Sequence, residues 1–175
     1  MVEEKFDPID ATGPGIAADS NHLFLNIGEN RNTIAAFDSE GKKSFAFSHN
    51  FREIKLTQKH IKRYMDFLET DPNFKSFVAR TKHLFKFKKL FPLIQYFYID
   101  EGKIFVTSYE KDNGKRDLTV FTLKGTFVKQ MELPLVSQNV DNPYPFAIHL
   151  GILYQIIENE DNHDLDGNYT RLAER

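Results

Sequence analysis

Apolar and polar positions along the chain fall into short runs of strand type, and the runs recur. The first set covers 15–19, 22–27 and 33–38 and ends in a turn at Gly41. The second covers 94–99, 104–107 and 118–122 and ends at Gly125. The third covers 145–149, 152–158 and 168–172. Each run is rich in Val, Ile, Phe, Tyr and Thr and is bounded by Gly, Asp or Asn, the signature of a strand between tight turns. Phe37 to Gly41 and Phe121 to Gly125 repeat a spacing of four. Asn113-Gly114, and Glu40-Gly41 after Asp38, are hairpin signals. Val128-Lys129-Gln130-Met131-Glu132-Leu133 alternates apolar and polar, as a half-exposed outer strand does. Four antiparallel strands in about 40–45 residues is the arithmetic of a β-propeller blade. One such sheet cannot bury both of its faces, so blades come in series.

One segment has a different period. Residues 57–82 read as helical: Ile61, Tyr64, Met65 and Leu68 form one apolar stripe at i, i+3, i+4 and i+7. Asp71-Pro72 then marks a second helix, with Asp71 as N-cap and Pro72 at its first position, and Phe74, Phe77 and Val78 as its stripe. The alternating 84–88 stretch returns towards strand. The expected fold is mainly β, with four-stranded antiparallel propeller blades and an inserted α-helical hairpin. Its parts are an N-terminal strand and first blade (1–54), a basic helical hairpin (55–90), and the second and third blades (91–175).

Charge sharpens this division. Residues 55–89 hold ten Lys/Arg against Asp66, Glu69 and Asp71, a net +7, while the remainder holds 13 bases and 22 acids, a net −9. A basic hairpin packed on acidic sheets of the same chain accounts for the split. An anionic partner for the hairpin is the sharper alternative. Nucleic acid is disfavoured as that partner, because the rest of the chain would repel phosphate. Zero Cys excludes disulfides, thiolate metal sites and a Cys nucleophile. No run of about 18 apolar residues is present, so no membrane span is expected. The opening Met1-Val2-Glu3-Glu4-Lys5 lacks an apolar h-region, so no signal peptide is expected: the chain reads as cytoplasmic as it stands, or as an exported protein cut short.

Gly13-Pro14-Gly15-Ile16-Ala17-Ala18-Asp19, followed by Leu23-Phe24-Leu25 and Ile34-Ala35-Ala36-Phe37-Asp38-Ser39-Glu40-Gly41-Lys42, resembles an NHL-type propeller repeat. Phe91-Pro92-Leu93-Ile94, Thr107-Ser108-Tyr109-Glu110, Leu123-Lys124-Gly125 and Tyr144-Pro145-Phe146-Ala147-Ile148 are similar to bacterial six-bladed propeller proteins that carry a helical insert between blades. The resemblance implies a propeller whose relatives include peptide, protein and glycan binders and a few metal-dependent lyases and lactonases. About three blades are visible, half of such a ring.

Candidate chemistry is sparse. The histidines are His22, His49, His60, His83, His149 and His163, and no two have the i, i+4 spacing of a helical zinc pair. His22 and His149 read as turn or surface residues at strand edges. No Gly-rich phosphate loop and no Gly-x-Ser-x-Gly elbow is present. The best local motif is Asn162-x-Asp164-x-Asp166-Gly167, which matches the first half of a calcium loop. Position twelve, where a bidentate Glu belongs, is Ala173. Calcium binding there is expected to be weak or absent, and a solvated hairpin loop is the plainer reading.

Two function classes follow. One is a propeller binding or scaffold module for a peptide, protein or glycan, with no catalytic set. The alternative is a metal-dependent propeller hydrolase or lyase, for which Glu29 and Glu110 are the repeated acids. Three blades cannot close alone, which leaves three readings: a homodimer completing a six-bladed ring, part of a longer propeller, or an open and differently packed array of sheets. In that dimer Val2–Phe6 of one chain would finish the open third blade of the other.

Overall fold

A computed structural model describes residues 4–9, 15–27, 32–111, 114–138, 143–149, 152–158 and 165–171. Strands outweigh helices, and the strands form three separate antiparallel sheets, each a simple meander. The first sheet is β1 (Ile16–Ala18), β2 (Leu23–Ile27), β3 (Thr33–Phe37) and β4 (Lys43–Ser48). Two helices follow, α1 (Gln58–Thr70) and α2 (Lys75–Thr81), then a short 3-10 turn over Lys82–Leu84. The second sheet is β5 (Tyr96–Asp100), β6 (Lys103–Thr107), β7 (Arg116–Thr122) and β8 (Phe127–Leu133). The third has three strands, β9 (Phe146–His149), β10 (Ile152–Glu158) and β11 (Leu165–Arg171).

Turn chemistry sets the hairpins. The Asp38 side chain accepts from the N–H groups of Glu40 (3.0 Å) and Lys42 (2.9 Å), and Gly41 follows at φ 77°, where a side chain is disfavoured. Gly125 repeats this at φ 81° between β7 and β8. It has a second reason to be glycine: an added Cβ would collide with the Phe47 ring of the first sheet.

Strand alternation then divides each sheet into two faces. Phe24, Ile34 and Ala36 of the first sheet meet Phe97, Ile104, Val106 and Phe121 of the second. The opposite face of the second sheet, with Phe105, Leu118 and Val120, meets Ile148 and Leu153 of the third. Hence the middle sheet is covered on both sides and its strand β6 is buried from Ile104 through Thr107. Among the described residues the outer sheets are covered on one side only.

The helices form a third core. Their excursion is pinched at its base, where Lys55 bridges Leu90, Leu56 donates to the Lys89 carbonyl (2.9 Å) and Phe91 to that of Ile54 (3.0 Å). Tyr64, Leu68 and Val78 pack with Ile9, Leu56, Phe91 and Tyr109, the last two rings stacked at 4.5 Å. The buried line of α1 is His60, Tyr64 and Leu68, while Ile61 and Met65 are partly buried beside it. His60 packs its ring against Phe91 (5.2 Å) and also closes a capping box: its Nδ1 accepts from the Thr57 N–H (3.2 Å), and Thr57 Oγ1 accepts from the His60 N–H (3.4 Å). No helix among the described residues is long and apolar enough to cross a membrane.

Three expectations are corrected here. Asp71 does not directly precede α2: its N–H ends α1 on the Phe67 carbonyl (2.9 Å), its side chain accepts from the Asn73 N–H (2.8 Å) and its carbonyl from the Lys75 N–H (2.9 Å) in the turn between the helices, and α2 itself begins only at Lys75. Of the expected α2 stripe only Val78 is buried, because about two turns of helix present a single position to the core; Phe74 and Phe77 are exposed. The described part of the N-terminal run is not available to another chain. Phe6 pairs in parallel with Phe85: its N–H donates to the Leu84 carbonyl (3.1 Å) and its carbonyl accepts from Lys86 (2.9 Å). Asp7 accepts from the Lys88 N–H (2.8 Å), and Ile9 is sealed into the helical core.

Candidate functional site

Two kinds of place could carry function: the polar junction where α1 meets the second sheet, and the surfaces that the stacking leaves uncovered. At the junction, Arg116 of β7 is fully buried. Its guanidinium donates to the Gln95 side-chain oxygen, to Ser137 Oγ (2.9 Å) and to the Ser108 carbonyl (3.4 Å). A buried cation requires both hydrogen bonds and a counter-charge. Glu110 supplies the charge, and Arg63 of α1 reaches it at 3.1 Å. Burial pushes the Glu110 carboxyl up, but hydrogen bonds from Ser137 and Arg63 and the charges of Arg63 and Arg116 outweigh it and hold it below its ordinary value. Glu110 is therefore a tie between helix and sheet, already engaged on both sides. Its sequence counterpart Glu29 lies outside the described residues.

A second network braces the neighbouring strands. Lys111 pairs with Asp117 (2.8 Å) and Glu132, and Lys115 also reaches Glu132 (3.1 Å). Hydrogen bonds from the two lysines pull the exposed Glu132 down to about 2. On the third sheet, buried Gln155 accepts from the Val136 N–H (2.9 Å) and donates to the carbonyls of Val136 (2.8 Å) and Tyr144 (3.1 Å). All these polar groups hold loops and strands in place, and none presents an activated nucleophile.

The uncovered surfaces differ in kind. On the first sheet, Ile16 and Leu25 share a row, Leu23 follows in the next, and Ile16 is 62% exposed. On the third, Tyr154 faces Tyr169 across β10 and β11, Ile156 follows, and Tyr154 and Ile156 are 46% and 51% exposed. At the helical tip, Phe74 and Phe77 stand among exposed Lys75, Arg80 and Lys82.

The residues singled out from sequence are scattered. Asn162 and Asp164 of the calcium-loop motif lie outside the described residues, as does His163. Asp166 lies in β11 opposite Ile157, with Gly167 opposite Ile156. His22 stands 3.7 Å from Asp19 within one turn, and His49 stacks on Phe127 at 5.5 Å. His149 is the exception: its Nδ1 lies 3.3 Å from Asp100 Oδ2, on a different sheet. Sequence reasoning did not pair these two because 49 residues separate them, and only the stacking of the second and third sheets brings them together. Compared with family models and with curated proteins, the chain matches none.

Proposed function

We propose that this chain is a binding or scaffold module built from propeller blades of NHL-like type, and that two copies stack through their end sheets to complete a six-bladed ring that holds a peptide, protein or glycan. The observation that carries this reading is the inequality of the sheets. The middle sheet buries both faces, whereas the first and third repeat its apolar alternation but leave Ile16 and Leu23, and Tyr154, Ile156 and Tyr169, in water. Apolar rows of this size on a protein surface mark interaction sites. The partner with a matching surface is another sheet of the same kind, and a second copy offers one at each end. Stacking of whole sheets replaces the exchange of N-terminal strands, since Phe6 is already paired within its own chain.

The alternative reading, a metal-dependent hydrolase or lyase, relied on Glu29 and Glu110. Glu110 is occupied by Arg63 and Ser137, so it is not a poised acid. Light scattering on the eluting protein tests the preferred reading. The expected mass is twice the 20.4 kDa of one chain, reduced to one chain by Tyr154→Arg with the fold retained. A single-chain mass for the unaltered protein at micromolar concentration overturns the two-copy ring. It would leave further blades of a longer chain as the occupant of those faces.

A further inference from the structure

We propose that Asp100, Glu101 and His149 form a divalent-cation site of the zinc class that ties the second sheet to the third. Asp100 ends β5, Glu101 begins the turn into β6, and His149 ends β9. Their ligand atoms all lie within 4.8 Å of one another. Among the described residues no other trio of His, Asp and Glu side chains converges in this way.

Geometry and donor type agree. In a tetrahedral site with bonds of about 2.0–2.2 Å, neighbouring donors stand roughly 3.4 Å apart. His149 Nδ1 and Asp100 Oδ2 are 3.3 Å apart, so two corners of such a site are already set. Glu101 is exposed and adjacent, and its carboxylate already lies within 4.8 Å of both. One imidazole and two carboxylates suit zinc and neighbouring transition metals. Calcium and magnesium prefer all-oxygen shells, so the imidazole nitrogen of the trio favours zinc over both. Three protein donors leave one position for water or a small anionic ligand.

The carboxylates are also available. Among the described residues, Glu110, Asp117 and Glu132 are each held by a lysine or arginine, whereas neither Asp100 nor Glu101 is. Two residues before Asp100, on the same face of β5, the Tyr98 hydroxyl oxygen is buried and has no hydrogen-bond partner among the described residues. A polar group left so beside a carboxylate is a place where water or an ion completes the structure. Bound across two sheets, the ion would stabilise their contact, because only the folded arrangement holds the donors together.

The test is a zinc titration by calorimetry on the intact chain, with melting curves for each protein without and with the ion. One zinc per chain is expected, with a higher melting temperature. His149→Ala and Asp100→Asn should each weaken binding at least tenfold, since even outer-shell changes at metal sites cost about 10- to 100-fold. Both should melt as the unaltered protein does without metal, because His149 is 60% exposed and Asp100 is at the end of its strand. His22→Ala, which removes the histidine beside Asp19, should bind zinc normally. Absence of stoichiometric zinc binding overturns the site. So does binding that His149→Ala leaves unchanged, or calcium binding tighter than zinc. The stoichiometry is one per chain whether the protein is one chain or two, so this result stands apart from the ring.

Discussion

The middle sheet and the third sheet are made of the same kind of strand and meet opposite fates. In β6 every residue from Ile104 to Thr107 is buried, whereas in β10 burial alternates, with Leu153 and Gln155 inside and Tyr154 and Ile156 outside. Composition does not separate them, since Tyr and Ile are as apolar as the residues they match. What differs is the number of neighbouring sheets among the described residues: two for the middle sheet, one for the third. A residue's burial in this architecture is a property of the stack and not of its strand.

Four tests can break or sharpen that contrast. The largest effect is expected in the doubly covered sheet, where Ile104→Ala should cost about 2–5 kcal/mol in urea unfolding. Ile156→Ala, measured in dilute solution where chains are separate, should cost less than about 0.5 kcal/mol. Equal costs would show that the third sheet is covered too.

Next come two glycines with the same backbone and different neighbours. Gly41 and Gly125 have φ of 77° and 81°, but only Gly125 faces the Phe47 ring. Gly41→Ala should lose about 1–2 kcal/mol from backbone strain alone. Gly125→Ala should lose more, and the difference measures how rigidly the first sheet is held against the second.

The junction with the helices responds to pH. Glu110 is held below its ordinary value of 4.5, so its stabilising contribution is present above that value and is lost as pH falls through its lowered value. Glu110→Gln should therefore lower the melting temperature at pH 7 but not in strong acid, where the two proteins converge. A constant gap across that range would mean that the charge of Glu110 contributes nothing.

The smallest effect belongs to the helical tip. Phe77→Ser should change stability by less than about 0.5 kcal/mol. Tyr64→Ala, in the buried line of α1, should lose several times that amount. A comparable loss at both would place Phe77 in a core.

The strands were legible because their cues are local. Alternating apolar residues and the Asp38–Gly41 and Gly125 turns mark β2, β3, β6 and β7 from a few residues each. Strand β4 was not named, since Lys43, Ser44 and Ser48 dilute its apolar signal. The helices were legible by period, but the faces of the shorter one were not. Phe74 and Phe77 have the chemistry of core residues, and only the seven-residue length of α2 leaves them outside. Contacts distant in sequence were illegible in principle. The Phe6–Phe85 bridge is one parallel pair with no pattern around it, and Asp100 meets His149 only because two sheets stack.

The central claim is that the uncovered face of the first sheet in one copy meets that of the third sheet in another. The absence of cysteine makes a direct measurement possible. Two single-cysteine proteins, Leu23→Cys and Tyr154→Cys, are prepared separately, mixed and treated with a short thiol crosslinker. The two-copy ring predicts a mixed crosslinked dimer of one Leu23→Cys and one Tyr154→Cys chain, with little product from either protein alone. No mixed product, or equal product from each protein by itself, would contradict it.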